Sequence, residues 1–231
     1  MCASTERELD RWLTELPDPE ASLQHAGLVV VARRQRFGHG QQGRVWVSPP
    51  GGLWLSAAIP WRAGLEHSAP LALAAAVGIS RELERLGLAM QIKWPNDLMV
   101  RGFKIGGILP RLRLRGSRVR WAQVGVGLNG INPVPLGAIS VGQALGLAHH
   151  PKASPKRLLP AILRGLNWAQ SQASKPELVR LQAEQRLLRP ADGLLHQGQC
   201  WQVVGLTTDG GLRVECDGRR STLRSQLAES A

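Results

Sequence analysis

Residues 93–109 read Lys-Trp-Pro-Asn-Asp-Leu-Met-Val-Arg-Gly-Phe-Lys-Ile-Gly-Gly-Ile-Leu. Two short apolar runs meet at a Gly-containing turn, a pattern that predicts a β-hairpin. Pro95 fixes its own φ and biases the preceding residue toward extended geometry, so Lys93 is expected at a strand end. The hairpin would bring together two ammonium groups, an amide, a carboxylate and a glycine pair: Lys93, Lys104, Asn96, Asp97 and Gly106-Gly107. Glycines without a Cβ would let the backbone approach a ligand closely.

Lysine is scarce in this chain, which makes its position informative. Lys and Arg total 29, but lysine occurs only at positions 93, 104, 152, 156 and 175. Two of the five therefore fall in this one stretch. A lysine supplies a compact, flexible point charge where arginine supplies a rigid planar one. A solvated hairpin would explain each residue alone, whereas the set favours a site for anions.

The pair of motifs Lys93-Trp94-Pro95-Asn96-Asp97 and Lys104-Ile105-Gly106-Gly107-Ile108-Leu109 resembles the signature of biotin–protein ligases, also called biotin–[acetyl-CoA-carboxylase] ligases. The resemblance implies an α+β fold of the class II synthetase-like biotin/lipoate ligase type, a mixed β-sheet packed with helices and followed by a small SH3-like β-barrel. It also implies an ATP-dependent enzyme. Such an enzyme converts biotin to biotinyl-5'-AMP and transfers it to a lysine of the biotin carboxyl carrier protein of acetyl-CoA carboxylase.

The resemblance also assigns roles to residues. Because a carboxylate must approach a phosphate, the protein has to supply cations. The implied catalytic residues are Lys104, Lys93 and Arg44. The implied biotin-binding residues are Ser4, Thr5, Gln35, Gly38, His39, Gly40, Gln41, Lys104, Gly106 and Gly107. The implied ATP- and adenylate-binding residues are Gly43, Arg44, Trp46, Lys93, Asn96 and Asn129. Asp97, with Asn96 beside it, would hold Mg²⁺ through oxygen, the ligand type that this ion prefers.

A helix start lies near the beginning of the sequence. Ser4 or Thr5 serves as N-cap, acidic residues follow, and leucines at 9, 13 and 16 mark one face of a helix that ends before Pro17. In the family, a Ser-Thr-Asn motif here holds the ureido group of biotin, and Glu6 departs from it. Family members also have a strand before this motif. We therefore expect either that the sheet lacks this strand or that the recorded start lies too far downstream.

The glycines at 38, 40 and 43 spell G-x-G-x-x-G. A dinucleotide-binding fold is excluded because no helix can start in the Val-Trp-Val-Ser-Pro-Pro run that follows. A kinase-type glycine-rich loop is excluded because the other motifs of protein kinases are absent. The remaining interpretation is an anion cradle of backbone amides ending at Arg44. It resembles the family's G-R-G-R-x-G-R loop, with His39 and Gln41 in place of arginines. The second arginine of that loop helps to retain the adenylate.

The remaining chain alternates strands and helices. Strands are predicted at 28–32, 53–59 and 118–128, and Pro110 predicts an edge or a bulge. Ser68 and Pro70 would begin a helix that ends at Gly87, and Pro155 and Pro176 would open two more, the second reaching about residue 188. Short strands at 198–206, 212–216 and 219–223 predict the small barrel. The predicted domains are residues 1–188, which bind biotin and ATP, and residues 189–231.

Composition bounds the remaining possibilities. The chain has 231 residues, 43% of them hydrophobic, without the roughly 18-residue apolar run of a membrane helix or a signal peptide. Three cysteines without metal-ligand spacing predict reduced thiols and a cytoplasmic protein. Cys200 and Cys216 could lie on neighbouring strands, but buried free thiols are the favoured interpretation. The net charge of +12 favours an acidic partner. Dispersed arginines argue against nucleic acid, and no DNA-binding domain is expected. The predicted protein is a monomer or homodimer.

Two alternatives remain open from the sequence. The nearest is a lipoate or octanoate ligase of the related fold, which shares the chemistry. The other is a non-catalytic, basic nucleotide-binding module, which would need neither Asp97 nor Lys104 and would release no pyrophosphate.

Overall fold

The computed structural model describes residues 2–64 and 70–224. Its main sheet has six strands: β1 (Leu28–Ala32), β2 (Leu53–Ile59), β3 (Met90–Lys93), β4 (Asp97–Val100), β5 (Phe103–Arg115) and β6 (Arg118–Leu128). They lie in the order β1-β2-β6-β5-β4-β3 with antiparallel neighbours. Parallel pairing among the described residues is confined to isolated bridges such as Cys2–Gln35. Residue 2, just before the first helix, therefore lies in strand-like pairing.

The predicted hairpin is a three-stranded meander of β3, β4 and β5. Lys93 ends β3 as expected, and the turn that follows contains the cis Trp94–Pro95 peptide. Lys104 lies on β5. The two lysines are thus not on adjoining strands, because β4 runs between them. Pro110 lies beyond the last β5 residue that pairs with β4 and faces Val124 of β6, so the predicted edge is confirmed.

The helices are α1 (Thr5–Glu15), α2 (Pro19–His25), α3 (Leu71–Glu84), α4 (Val141–Ala144), α5 (Pro155–Ser171) and α6 (Pro176–Glu184). The chain leaves α3 through Gly87 at φ 92°, the turn that the sequence predicts. Ser68, the predicted N-cap, lies outside the described residues, and Pro70 occupies the cap position. Helix α6 ends before residue 188, because the backbone of Arg186 and Leu188 pairs with Ile92 of β3.

Helices cover both faces of the sheet. Alternate residues of β2 separate the two layers: Ala57 belongs to the core shared with α3 and α5, and Ala58 packs with Leu9 and Leu13 of α1. The predicted α+β architecture is confirmed. Among the described residues, no helix combines the length and apolar character needed to cross a bilayer.

A second antiparallel sheet follows residues 190–193, with strands β7 (Leu194–His196), β8 (Gln199–Leu206), β9 (Leu212–Cys216) and β10 (Arg219–Leu223). Strand β7 is missing from the sequence prediction. Leu206, Leu212 and Val214 pack into the main core, so the two sheets share apolar contacts. The boundary at 188/189 stays a prediction. The three thiols are free, but the prediction that Cys200 and Cys216 are buried is wrong: Cys200 is exposed and Cys216 is half-buried, as is Cys2.

Candidate active site

A cavity of about 760 Å³ opens between the main sheet, the start of α1 and the glycine-rich loop. Most of the residues singled out from the sequence line it: Ser4, Thr5, Gln35, His39, Gly40, Gln41, Arg44, Trp46, Lys93, Asn96, Asp97, Lys104, Gly107 and Asn129. These residues come from positions 4 to 129, and the fold gathers them into one cavity.

Three of the singled-out glycines do not line the cavity: Gly38, Gly43 and Gly106. A Cβ on Gly38 would lie 2.4 Å from the Trp46 carbonyl oxygen, and one on Gly106 would lie 2.7 Å from that of Gly127. Gly43 has a φ of 70°, which side chains disfavour. Backbone packing and turn geometry therefore account for glycine at these three positions, and their predicted ligand contacts stay predictions.

A β-bulge decides which face of the sheet carries Lys104. Asp97 pairs with Gly107, but the register shifts between Leu98 and Met99, so that Met99 faces Lys104. In unbroken register Lys104 would face Val100 and lie on the opposite face from Asp97. The extra residue is Ile105, whose side chain is fully buried in the core. The bulge thus brings the ammonium group to the cavity face.

The Lys104 ammonium contacts a carboxylate and an aromatic ring. Its Nζ lies 2.6 Å from Asp97 Oδ1 and 5.0 Å from the centroid of the Trp46 ring, a cation–π distance. The indole of Trp46 lies against Gly107 and Gly127; a Cβ on Gly127 would come within 2.6 Å of it. A Cβ on Gly107 would lie 3.2 Å from the Trp46 ring, so this glycine also makes room for Trp46. Its predicted contact with a ligand stays a prediction.

Another part of the cavity wall is a cluster of hydroxyl and amide groups. Ser4 Oγ caps α1 by accepting a hydrogen bond from the Glu6 backbone N–H. The Thr5 hydroxyl has a different role: it donates to Gln35 Oε1 at 3.0 Å and contacts Ser56 Oγ at 2.9 Å. Capping alone therefore does not explain both hydroxyls. The Thr5 backbone N–H also donates to Gln35 Oε1, which fixes that side chain.

The remaining predicted nucleotide contacts are partly engaged in internal hydrogen bonds. Asn129 is buried, and its Oδ1 accepts from the Asn132 side chain at 3.1 Å. Asn96 Nδ2 donates to the Ile108 carbonyl at 2.6 Å, which leaves its own oxygen as an acceptor. Arg44 is exposed and reaches Gln42. Its guanidinium is free to approach an anion.

Several cavity residues were not among the predicted site residues, and those with polar side-chain groups are Glu6, Gln42, Ser56, Trp94 and Arg224. Arg224 follows β10 and pairs with Asp209, so the second sheet supplies part of the cavity wall. Trp94 links the same regions, because its Nε1–H donates to the Gly210 carbonyl at 2.8 Å. No local sequence pattern predicts a contact between residues this far apart in the chain. Trp94 belongs to the motif at 93–97, so its position in the sequence was a sufficient signal to predict it as a cavity residue.

The charge of the cavity is predominantly positive. Lys93, Lys104, Arg44 and Arg224 stand against the carboxylates of Glu6 and Asp97. Lys93 lies directly across from Asp97 in the β3–β4 pairing, so Asp97 separates the two lysines. Among the described residues no three His, Cys, Asp or Glu side chains cluster as a metal site. The arrangement can receive a polyanion.

The model of the biotin/lipoate A/B protein ligase family matches residues 14–129, half of the 231-residue chain. The chain belongs to the biotin/lipoate A/B protein ligase family. The matched region contains the glycine-rich loop and the lysine motifs. The start of α1 and the second sheet lie outside it.

Curated relatives in this biotin/lipoate ligase family include the bifunctional ligase/repressor BirA of Bacillus subtilis, 38% identical over 111 residues, which are 47% of this chain and 34% of BirA. The biotin–[acetyl-CoA-carboxylase] ligase of Paracoccus denitrificans is 32% identical over 149 residues, 58% of this chain and 61% of that protein. The chain thus spans about a third of the first relative and three fifths of the second.

Solved structures of family members share the fold. A biotin protein ligase from Aquifex aeolicus in complex with biotin and ATP superposes with a TM-score of 0.70 at 23% identity, covering 97% of this chain and 93% of that one. A Leishmania major biotin protein ligase in complex with biotinyl-5-AMP gives 0.61 at 22% identity, covering 97% and 96%.

Proposed function

We propose that the chain is an ATP-dependent biotin–protein ligase. It forms biotinyl-5'-AMP and transfers biotin to a lysine of the biotin carboxyl carrier protein of acetyl-CoA carboxylase. The observation that carries the proposal is the bulge at Ile105, which brings Lys104 to Asp97 in the same cavity that holds the Thr5–Gln35 cluster. Family membership and the named relatives support it.

In the first step an oxygen of the biotin carboxylate attacks the α-phosphorus of ATP, and pyrophosphate leaves with the electrons of the broken P–O bond. The carboxylate is already deprotonated, so the step needs cations rather than a base. Lys104 neutralises the meeting anions, while Lys93 and Arg44 hold the remaining phosphate charge. One ammonium about 4 Å from one anionic oxygen contributes roughly 4 kcal/mol at an effective dielectric of about 20.

The cluster of Thr5, Gln35 and Ser56 fits the head group of biotin. A ureido group has two N–H donors and one carbonyl acceptor, so it needs partners of both kinds. Thr5 and Ser56 supply hydroxyls, and Gln35 supplies an amide whose orientation is set by Thr5 and by its own Nε2–H, which donates to Ser48 Oγ at 2.9 Å. Trp46 and Leu55 supply apolar wall. This combination of ring pocket and polar end favours biotin over an open-chain acyl group.

Magnesium fits the described residues only in part. Asp97 offers one carboxylate, and its Oδ1 already pairs with Lys104. Asn96 offers an amide oxygen. Because Mg²⁺ is commonly held by one or two carboxylates together with substrate phosphates, we propose that it arrives as the ATP complex. Asp97 and Asn96 would then be its protein-side oxygens.

The proposed partner is an acidic carrier domain. A chain of net charge +12 attracts such a partner over long range, which raises the encounter rate. We place the reaction in the cytoplasm, in keeping with free thiols at all described cysteine positions. The proposed assembly is a monomer or a homodimer.

The test is ATP–pyrophosphate exchange with the purified chain, offered biotin, lipoate or octanoate in parallel. Exchange that depends on biotin is the expected result, followed by labelling of an added carrier domain. Exchange with lipoate or octanoate alone would assign the chain to the other branch of its family. Absence of exchange with all three acids would leave a basic nucleotide-binding module.

A further inference from the structure

Glu6 lies in the first turn of α1, and its carboxylate forms part of the cavity wall. Only 12% of its side chain is exposed. Each of its oxygens faces a different basic group: Oε1 lies 2.7 Å from Arg111 Nη2, and Oε2 lies 2.5 Å from His39 Nε2. Arg111 belongs to the sheet, whereas His39 belongs to the glycine-rich loop. One carboxylate therefore connects the scaffold to the loop.

The scaffold side of this connection is rigid. Glu6 stands at the N-terminal end of a helix, where a negative charge is favoured. Arg111 also contacts Asp10 of the same helix at 3.6 Å, and Asp10 in turn pairs with Arg113 at 2.6 Å. The Glu6 carboxylate is thus held by two elements, α1 and β5. The position of His39 is the part that can vary.

The loop is otherwise tied mainly to itself. Gly40 N–H donates to the Arg44 carbonyl at 2.8 Å, and Trp46 N–H donates to the Gly38 carbonyl at 2.9 Å. Arg44 reaches Gln42 within the loop. Among the hydrogen bonds and ion pairs of the described residues, the His39–Glu6 contact is the one that joins residues 38–45 to a helix.

The buried oxygen needs this contact. Glu6 Oε2 is inaccessible to solvent and, among the described residues, receives no donor in hydrogen-bond geometry. The nearest basic group is the His39 ring, whose Nε2 lies 2.5 Å away. A buried carboxylate oxygen without a partner is strongly unfavourable, so Glu6 favours loop positions in which the His39 ring stays beside Oε2. This contact between Glu6 and His39 therefore favours the position of the glycine-rich loop next to α1.

We infer that Glu6 is a positioning residue whose carboxylate ties His39, and through it the glycine-rich loop, over the cavity. These are the two positions where the chain departs from the Ser-Thr-Asn motif and from the first arginine of the loop. Glu6 and His39 contact each other, so the two differences from the family motifs are coupled. The catalytic consequence, slower escape of the adenylate, rests on the proposed function.

The direct test is backbone hydrogen exchange of residues 38–46 in the whole ligand-free protein, which does not depend on any activity. Glu6→Gln keeps the shape of the side chain and removes its charge. We expect it to accelerate exchange in the loop on the order of tenfold, as should His39→Gln. The double variant should exchange no faster than either single variant. His39→Arg, which places a permanent cation beside Glu6, should keep the protection.

A matched control lies on the same helix. Glu8 pairs with Arg11 on the exposed side of α1, so Glu8→Gln should leave exchange in the loop unchanged. If Glu6→Gln fails to fold, His39→Gln on the loop carries the test alone. Unchanged exchange in His39→Gln, or additive effects in the double variant, would overturn the inference.

Adenylate release separates this inference from the proposed function. In the variants whose loop shows accelerated hydrogen exchange, biotinyl-5'-AMP formed in the cavity should escape on the order of tenfold faster than from the parent chain. Faster loop exchange combined with equal escape would overturn the retention role of Glu6. If the parent forms no adenylate while the exchange result holds, the proposed function fails and the link between Glu6 and the loop stands.

Discussion

Replacing Lys104 by methionine tests the centre of the proposed site. Methionine keeps the length of the side chain and an apolar contact with Trp46, while the ammonium is lost. Lys104 Nζ lies 2.6 Å from Asp97 Oδ1 and 5.0 Å from the Trp46 centroid. The variant therefore removes a charge from the meeting point of the two anions and leaves Asp97 without its cation.

The expected loss follows from the charge and its surroundings. An ammonium about 4 Å from an anionic oxygen contributes roughly 4 kcal/mol at an effective dielectric of about 20. A third of the Lys104 side chain is exposed, at 33%, and Asp97 already neutralises part of its charge, which together reduce the effect. A remainder of about 2.7 kcal/mol corresponds to a loss on the order of 100-fold.

The assay is biotin-dependent ATP–pyrophosphate exchange, measured for Lys104→Met beside Lys156→Met. Lys156 is exposed on α5 and lies outside the cavity, so its replacement should change the rate less than twofold. Thermal unfolding of both variants checks that they fold. Exchange by Lys104→Met within threefold of the parent rate would refute the assignment of Lys104 to the reacting anions.

Further outcomes follow from other contacts. Gly127→Ala places a Cβ 2.6 Å from the Trp46 ring and should lower stability by about 1–3 kcal/mol in thermal unfolding, whereas Gly64→Ala, with open space around it, should not. Burial raises the pKa of Glu184, but hydrogen bonds from the Leu206 backbone and from Arg180 together hold it below its ordinary value. The stability that Glu184 contributes is then present above the ordinary carboxyl pKa and lost as pH falls through the folded-state pKa, so the destabilisation by Glu184→Gln should shrink on acidification. Transfer of biotin to an acidic carrier should slow as salt is raised; a salt-independent rate would contradict the role given to the net charge. Gln41→Arg should retain adenylate longer than the parent in a chase experiment, and equal release would dismiss Gln41 as a source of leakage.

Local patterns were enough for most of the elements. Strands β6, β9 and β10 lie at their predicted bounds because apolar alternation and glycine turns are signals within a few residues. Helix α2 carried such a signal too and was overlooked: Asp18 accepts from the Ala21 N–H and Pro19 opens the helix. Its start could have been read from the capping rules.

The parts of the site that escaped prediction depend on pairing between distant residues. The bulge at Ile105 arises from the register of β4 against β5, and the residues around position 105 carry no pattern that predicts it. The different roles of the Ser4 and Thr5 hydroxyls depend on Gln35, which lies about thirty positions away in the chain. The Glu6–His39 contact is equally long-range. Sequence patterns identify the chemical groups, and tertiary pairing decides which of them meet.

Ile105 shows how a core position can carry a constraint that packing alone would not reveal. Its side chain is fully buried, so a survey of the molecule would count it among the aliphatic residues that hold the sheet to α3. Yet the extra place it takes in β5 also sets the side of the sheet on which the neighbouring amino group emerges. Repacking of this interior that alters the register of β4 against β5, even with side chains of equal volume, would move the Lys104 ammonium away from Asp97 and abolish the proposed activity while leaving the melting temperature unchanged.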